Sequence, residues 1–199
     1  MDLHMHSCWS PDSSTTLTQL ATTARQVGLH RIALTDHNTA EGALELKALE
    51  PELAIVGEEV KTSEGEIIGL FLTRSLARGG TPEEVCDEIR SMGGLTYACH
   101  PLDRRRASFS SERLLQLRDR LDIIETYNPW ADPAANRAAA ELCRELGLVA
   151  ASGSDSHGLR ELGKSWMEIE PYADPASFLA SLRHAGHVVS PGSGRGGRY

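Results

Sequence analysis

The chain has few cysteines, and none of them has the spacing of a cysteine framework. Cys8, Cys86, Cys99 and Cys143 lie far apart in the 199-residue sequence, and no C-x-x-C pair occurs. A disulfide scaffold and a thiolate zinc site are therefore not indicated. We expect a cytoplasmic protein, since the cytoplasm keeps thiols reduced.

Long apolar runs and an excess of basic charge are also missing. No run approaches the roughly 18 residues of a membrane span, and no basic segment precedes an apolar one as in a secretory signal. Asp and Glu outnumber Lys and Arg by 28 to 20, which gives a net charge of −8. Strong binding of long nucleic acid is not expected, because it needs a broad basic surface. A small phosphorylated substrate is not excluded.

The apolar pattern alternates between strand-like and helix-like spacing along the chain. The segments RIALTDH, LAIVGEEV, GEIIGLFL, GLTYACH, LDIIETYN and LVAASGSD have the composition of strands, and the second and third are close enough for a hairpin. Helical stretches between most of them predict an α/β fold around a largely parallel sheet. No G-x-G-x-x-G turn follows the first strand, which favours a compact barrel over a dinucleotide-binding sheet. We predict one domain over residues 1–190 and a flexible tail over 191–199.

Histidines and carboxylates stand at the ends of the predicted strands. His4 and His6 face the same side if MDLHMH is extended, since side chains two apart share a strand face. The other strand ends carry Asp36, His37, Glu58, Glu59, His100, Glu125, Asp155 and His157. Each alone could belong to a solvated loop or a helix cap. In a barrel of parallel strands, however, these ends open on one face, so together they predict one cluster.

The candidate ligands supply only nitrogen and oxygen, and they outnumber the ligands of one tetrahedral ion. This set suits two or three divalent ions of zinc, manganese or iron. Clustered divalent ions acidify a bound water and stabilise both oxygens of an in-line displacement. Hydrolysis of a phosphoester by a metal-bound hydroxide is the chemistry that follows.

Six motifs, DLHMHS, LTDHNT, VGEEV, ACHP, IIETYNP and GSDSHG, occur in this order. They resemble the motifs of the PHP (polymerase and histidinol phosphatase) family of metal-dependent phosphoesterases, over about residues 1–190. The resemblance implies a distorted seven-stranded (β/α) TIM-like barrel. It also implies the metal ligands His4, His6, Asp12, His37, Glu59, His100, Asp155 and His157. Within this set His37, Asp155 and His157 are the expected catalytic residues, and Glu59 is expected to bridge two ions.

Several residues close to these ligands are not expected to bind a metal ion themselves. Glu58 should point to the opposite side of its strand, and Asp36 and Glu125 should orient ligands from outside the ligand set. Some relatives carry a further histidine near the position of Ile67, so the third ion is expected to have one protein ligand fewer here. Alternation along the strand is expected to turn Cys99 away from the site.

Substrate binding needs cationic side chains near the cluster. The expected phosphate-binding residues are Arg104, Arg105, Arg106, Lys61 and Lys164. The leading interpretation is a hydrolase acting on a nucleotide, a short oligonucleotide, or a sugar or amino-alcohol phosphate. A non-catalytic module that binds phosphorylated ligands or a polymerase partner is the alternative, and amidohydrolase chemistry is disfavoured by the D-H and D-x-H motifs.

Overall fold

A curled, six-stranded sheet forms half of a barrel in the computed structural model, which describes residues 1–190. Its strands follow chain order: β1 (Ile32–Leu34), β2 (Ala54–Lys61), β3 (Glu66–Leu70), β4 (Leu95–Ala98), β5 (Ile123–Tyr127) and β6 (Val149–Ser152). The β2–β3 hairpin is antiparallel, as predicted, and β3 also runs antiparallel to β4. The remaining neighbours, β1 with β2, β4 with β5 and β5 with β6, are parallel. The predicted tail, residues 191–199, lies outside the described residues.

The N-terminal segment, residues 2–6, lies between the two edges of this sheet. On one side the backbone N–H of Ala33 donates to the Asp2 carbonyl over 2.9 Å. On the other side the N–H of Asp155 donates to the His4 carbonyl over 2.7 Å. The segment makes isolated bridges rather than a regular strand, so the expected seventh strand is not confirmed. It nevertheless ties β1 to the loop that follows β6.

Six α-helices lie among the described residues. They are α1 (Leu17–Gln26), α2 (Glu41–Leu49), α3 (Pro82–Ser91), α4 (Ser111–Gln116), α5 (Pro133–Leu146) and α6 (Pro175–Leu182). Thr81 caps α3 through its side chain, and Pro82 occupies the first turn, where its missing N–H costs no helix hydrogen bond. None of the helices within residues 1–190 is long and apolar enough to cross a membrane.

Apolar side chains cover both faces of the sheet, because alternate residues of each strand point to opposite sides. One face packs on α1 to α5 and buries residues such as Leu20, Ile89 and Ile124. The opposite face buries Tyr97 and Ile123 against α6 and the hairpin of β7 (Ser165–Glu168) and β8 (Gly186–Val189). The polar cluster is therefore confined to the strand ends, where neither core reaches.

Gly153 provides a test of how closely the N-terminal segment packs against the loop after β6. An added Cβ at Gly153 would lie 2.4 Å from the His4 Cβ and 2.6 Å from its backbone nitrogen. We expect Gly153→Ala to lower the free energy of unfolding by about 1–3 kcal/mol, because the segment must move to avoid the clash. Chemical denaturation of the purified protein measures this change.

The matched control is Gly158→Ala, since a Cβ at Gly158 meets nothing within 4 Å. We expect this variant to stay within about 0.5 kcal/mol of the parent. Equal stability of the two variants would contradict the close packing at Gly153.

Candidate metal centre

The carboxylate of Glu59, near the end of β2, lies at the middle of four imidazoles. Its oxygens are 2.8 Å from His100 Nε2, 3.1 Å from His37 Nδ1, 3.3 Å from His4 Nε2 and 3.4 Å from His6 Nε2. Glu59 is 1% exposed. The structure thus brings together histidines from three separate segments around one buried acid.

Asp155 forms the second acidic element of the cluster. Its Oδ1 lies 3.3 Å from His6 Nε2 and 3.5 Å from His4 Nε2. Its Oδ2 accepts hydrogen bonds from Arg106 Nη1 over 2.7 Å and from Asn128 Nδ2 over 3.0 Å. One oxygen therefore faces the histidine pair, and the other is held by side chains outside it.

Asp12, His37 and His157 form the more exposed side of the cluster. Asp12 Oδ2 lies 3.3 Å from His37 Nε2 and 3.2 Å from His157 Nε2, and the Asp12 side chain is 49% exposed. The His6 ring centre lies 4.4 Å from that of His37 and 4.2 Å from that of His157. This group is thus continuous with the buried one through His6.

The donor set fits divalent metal ions. Two buried atoms that face each other, His6 Nε2 and Asp155 Oδ1, have no hydrogen-bond partner among residues 1–190. Such atoms cost about 1–3 kcal/mol each when they stay unpaired. The ligand atoms of His4, His6 and Glu59 lie within 4.8 Å of one another, as do those of His6, His37 and His157. Nitrogen and oxygen donors at this spacing can hold zinc, manganese or iron.

Glu125, on β5, fixes the orientation of His4. Its Oε1 lies 3.1 Å from His4 Nδ1 and accepts the Tyr97 hydroxyl over 3.1 Å. Its Oε2 accepts the backbone N–H of His100 over 2.6 Å and the amide of Asn128 over 3.0 Å. Because Glu125 holds the proton on Nδ1, Nε2 is the nitrogen that His4 can offer to a metal ion in the cluster.

Asp36 acts on His6 in a similar way, through a serine. It accepts hydrogen bonds from the backbone N–H of Ser7 over 2.6 Å and from the Ser10 hydroxyl over 2.7 Å. Because Ser10 donates to Asp36, its oxygen is free to accept from His6 Nδ1, which lies 3.3 Å away. The Nε2 atom of His6 therefore faces the cluster as well.

The cluster controls the charge of its acids. Burial raises the pKa of Glu59, but His4, His100 and His37 outweigh it and hold that pKa well below its usual range. Burial likewise opposes ionisation of Asp155, and the cations around it, His4 first, hold its pKa well below the ordinary value. Both carboxylates are thus ionised at neutral pH and able to act as ligands.

Two of the candidate ligands have left-handed backbone conformations, with φ of 28° at His100 and 50° at Asp155. Such conformations cost about 1–3 kcal/mol outside glycine and occur often at functional sites. The turn at His100 lets this imidazole reach the cluster, although alternation along β4 would direct it to the opposite face. Cys99 keeps the alternation and shares its face with Tyr97. Its Sγ lies 3.3 Å from Glu59 Oε1, so the expectation that Cys99 faces away is wrong.

Sequence reasoning missed Glu66, the first residue of β3. Its side chain is 16% exposed, and its Oε2 lies 4.0 Å from His100 Nε2. Ile67, near whose position some relatives carry a further histidine, is buried in the core beneath the helices. Glu59 pairs with Ile68 across the hairpin, so alternation places Glu66 on the face of Glu59. The strand pairing of the hairpin was therefore the feature that could have identified Glu66 as a site residue.

The basic residues proposed for phosphate binding are spread apart. Arg106 contacts the cluster through Asp155, whereas Arg105 pairs with Asp103 over 3.0 Å. Lys164 Nζ lies 4.5 Å from the centre of the Trp130 ring. Arg104 and Lys61 are exposed. Glu58, as expected, points away from Glu59 and accepts the backbone N–H of Leu76 over 2.8 Å.

Comparisons with known proteins identify the family. The model of the PHP domain matches residues 2–70, and a model described as PHP-associated matches residues 133–185. An uncharacterized protein of Methanocaldococcus jannaschii, MJ1587, is 36% identical over 142 residues, which are 65% of this chain and 81% of that protein. The chain belongs to the PHP domain family.

Solved structures show the same fold at low sequence identity. A two-domain protein from Bacteroides vulgatus, containing a predicted PHP-like metal-dependent phosphoesterase, superposes with a TM-score of 0.76 at 18% identity. That match covers 94% of this chain and 64% of the other. A protein from Bifidobacterium adolescentis, named as a candidate metal-dependent phosphoesterase, has a TM-score of 0.68 at 18% identity, with 91% and 94% covered. These likenesses support the barrel-like α/β fold.

Substitution of Glu125 tests its role in holding His4. We expect Glu125→Gln to weaken zinc binding by about 10- to 100-fold, because the amide keeps the shape but loses the charge that fixes the imidazole. Competition with a chromophoric chelator measures the affinity. The control is Glu112→Gln, an exposed acid on α4, which should bind zinc like the parent. Equal affinities of all three proteins would contradict the role.

Proposed function

We propose that this chain is a metal-dependent phosphoesterase that hydrolyses a small phosphorylated substrate. The proposed substrate is a nucleotide, a short oligonucleotide, or a sugar or amino-alcohol phosphate. The observation that carries the proposal is the contact between Arg106 and Asp155, 2.7 Å long, which places a guanidinium beside the candidate ligands. A phosphate that reaches the ligands also reaches that cation.

The proposal assigns the cluster two or three divalent ions of zinc, manganese or iron. Their ligands would be His4, His6, Asp12, His37, Glu59, His100, Asp155 and His157. When bound, such ions lower the pKa of a coordinated water and neutralise the charge of phosphoryl oxygens. No serine or cysteine nucleophile is needed for that chemistry.

The partly exposed histidines of the cluster support a direction from which the substrate would enter the site. His37 and His157 are 22% and 27% exposed at their side chains, whereas Glu59 and Asp155 are buried. A phosphoester therefore approaches over His37 and His157 and meets the buried acids last. His37, Asp155 and His157 are the residues to which we assign the reaction.

Arg106 is the residue to which we assign phosphate binding. Its side chain is 28% exposed, so part of the guanidinium stays accessible while Nη1 contacts Asp155. Guanidinium groups present paired donors that match the geometry of phosphate oxygens. Arg105 has its donors directed to Asp103 instead, at 3.0 and 3.2 Å.

The activity itself is tested with the purified protein loaded with manganese or zinc. We expect it to release phosphate, or cleave a diester, within a broad panel of phosphomonoesters and phosphodiesters. Asp155→Asn should abolish turnover while circular dichroism shows an unchanged fold, since the variant loses a buried ligand charge. A loaded protein that cleaves nothing in the panel would contradict the proposal. Loss of thermal stability alone in Asp155→Asn would favour a non-catalytic metal-binding module.

The assignment of Arg106 is tested by comparing three neighbouring arginines. We expect Arg106→Gln to lower kcat/KM by about 100-fold, because a charge-assisted donor to the reacting phosphate is lost. Arg104→Gln and Arg105→Gln should change it little, since solvent screens exposed charges. Metal content, measured alongside, should stay the same in all three. Equal losses of kcat/KM in the three variants would contradict the assignment of phosphate binding to Arg106.

A further inference from the structure

The two oxygens of Glu59 face different groups of side chains. Oε2 lies near His4, His6 and His37, at 3.3, 3.4 and 3.1 Å. Oε1 lies 2.8 Å from His100 Nε2 and 3.3 Å from Cys99 Sγ. The carboxylate therefore separates two positions, and the Oε1 side has its own set of donors.

Glu66 lies on the Oε1 side. Its Oε2 is 4.0 Å from His100 Nε2, and its side chain is 16% exposed. Its carboxylate also belongs to a group with His37 and Glu59 whose ligand atoms are within 4.8 Å of one another. Two carboxylates therefore approach each other beside the imidazole of His100, whose Nε2 lies 2.8 Å from Glu59 and 4.0 Å from Glu66.

The Glu66 carboxylate has little direct compensation for its charge among the described residues. Within residues 1–190 it accepts no hydrogen bond, and its one ion-pair contact is the distant one to His100. Placing a largely shielded carboxylate next to a second one is unfavourable unless a cation lies between them. The 2% exposed His100 directs its Nε2 atom at Glu59 Oε1 over 2.8 Å. Glu59, Glu66 and His100 therefore present three donor side chains on this side.

We propose that Glu66 is a ligand of a further divalent ion, held on the Oε1 side of Glu59 and shared with His100. This is the third ion, which the family resemblance leaves with one protein ligand fewer than in some relatives. The carboxylate of Glu66 would supply that ligand. The sulfur of Cys99, 3.3 Å from Glu59 Oε1, makes this position suited to zinc or iron(II) rather than magnesium. The inference rests on the metal centre of the proposed function, but it concerns how many ions bind and not whether turnover occurs.

The test counts the ions that each variant binds. Metal-stripped protein is titrated with zinc, freed of unbound metal by gel filtration and analysed by inductively coupled plasma mass spectrometry. We expect Glu66→Gln to retain one ion per chain fewer than the parent, because the neutral amide is a poor ligand. Glu66→His should restore the parent ion number, since imidazole is a good zinc ligand. This rescue would exclude a role for Glu66 in shape alone.

The matched control is Glu64→Gln, in the same hairpin. Glu64 pairs with Arg113 over 2.7 Å, away from the cluster, so this variant should bind as many ions as the parent. Equal ion numbers in the parent and in Glu66→Gln would overturn the proposal, whatever the activity. Protein that binds the expected ions but cleaves no phosphoester would instead count against the proposed function and leave Glu66 as a ligand.

Discussion

The structure depends on holding the negative charge of Glu59 inside the protein. A carboxylate removed from water is costly unless opposite charges or hydrogen-bond donors surround it. Here the surrounding groups come from segments distant in sequence, at His4, His37 and His100. The arrangement of strands therefore has to be correct before the acid can be buried. The same arrangement leaves imidazole nitrogens and carboxylate oxygens directed at common points, which is the geometry that a metal ion requires.

The N-terminal segment shows how fold and site share one set of contacts. His4 is held at its side chain by Glu125 and at its carbonyl by the backbone of Asp155. The hydrogen bonds that join the sheet edges thus also position the ligands. Glu125 and Asp36, which orient His4 and His6, each accept a short hydrogen bond from a backbone N–H group. The orientation of the two imidazoles is therefore tied to the main chain.

Much of this arrangement could be predicted from sequence, because parallel strands place their carboxyl ends on one side of a sheet. That rule located His37, Glu59 and Asp155 together without any coordinates. It failed for β3, which runs antiparallel, so that its first residue rather than its last reaches the cluster. Glu66 was passed over for this reason. Pairing across the hairpin, which fixes Glu59 opposite Ile68, would have found it.

Other details depend on backbone conformations that a periodic pattern cannot reveal. The left-handed turn at His100 brings its imidazole to Glu59, although the preceding residue, Cys99, already faces Glu59 from the end of β4. Among three consecutive arginines, the loop built on Asp103 decides that Arg106 reaches Asp155 while Arg105 turns back. The position of the N-terminal segment also has a consequence for biosynthesis. Ser154 and His4, which contact each other, are 150 residues apart, so the early histidines leave the ribosome long before their partners exist. The complete cluster of candidate ligands can therefore form only after nearly the whole domain has been translated.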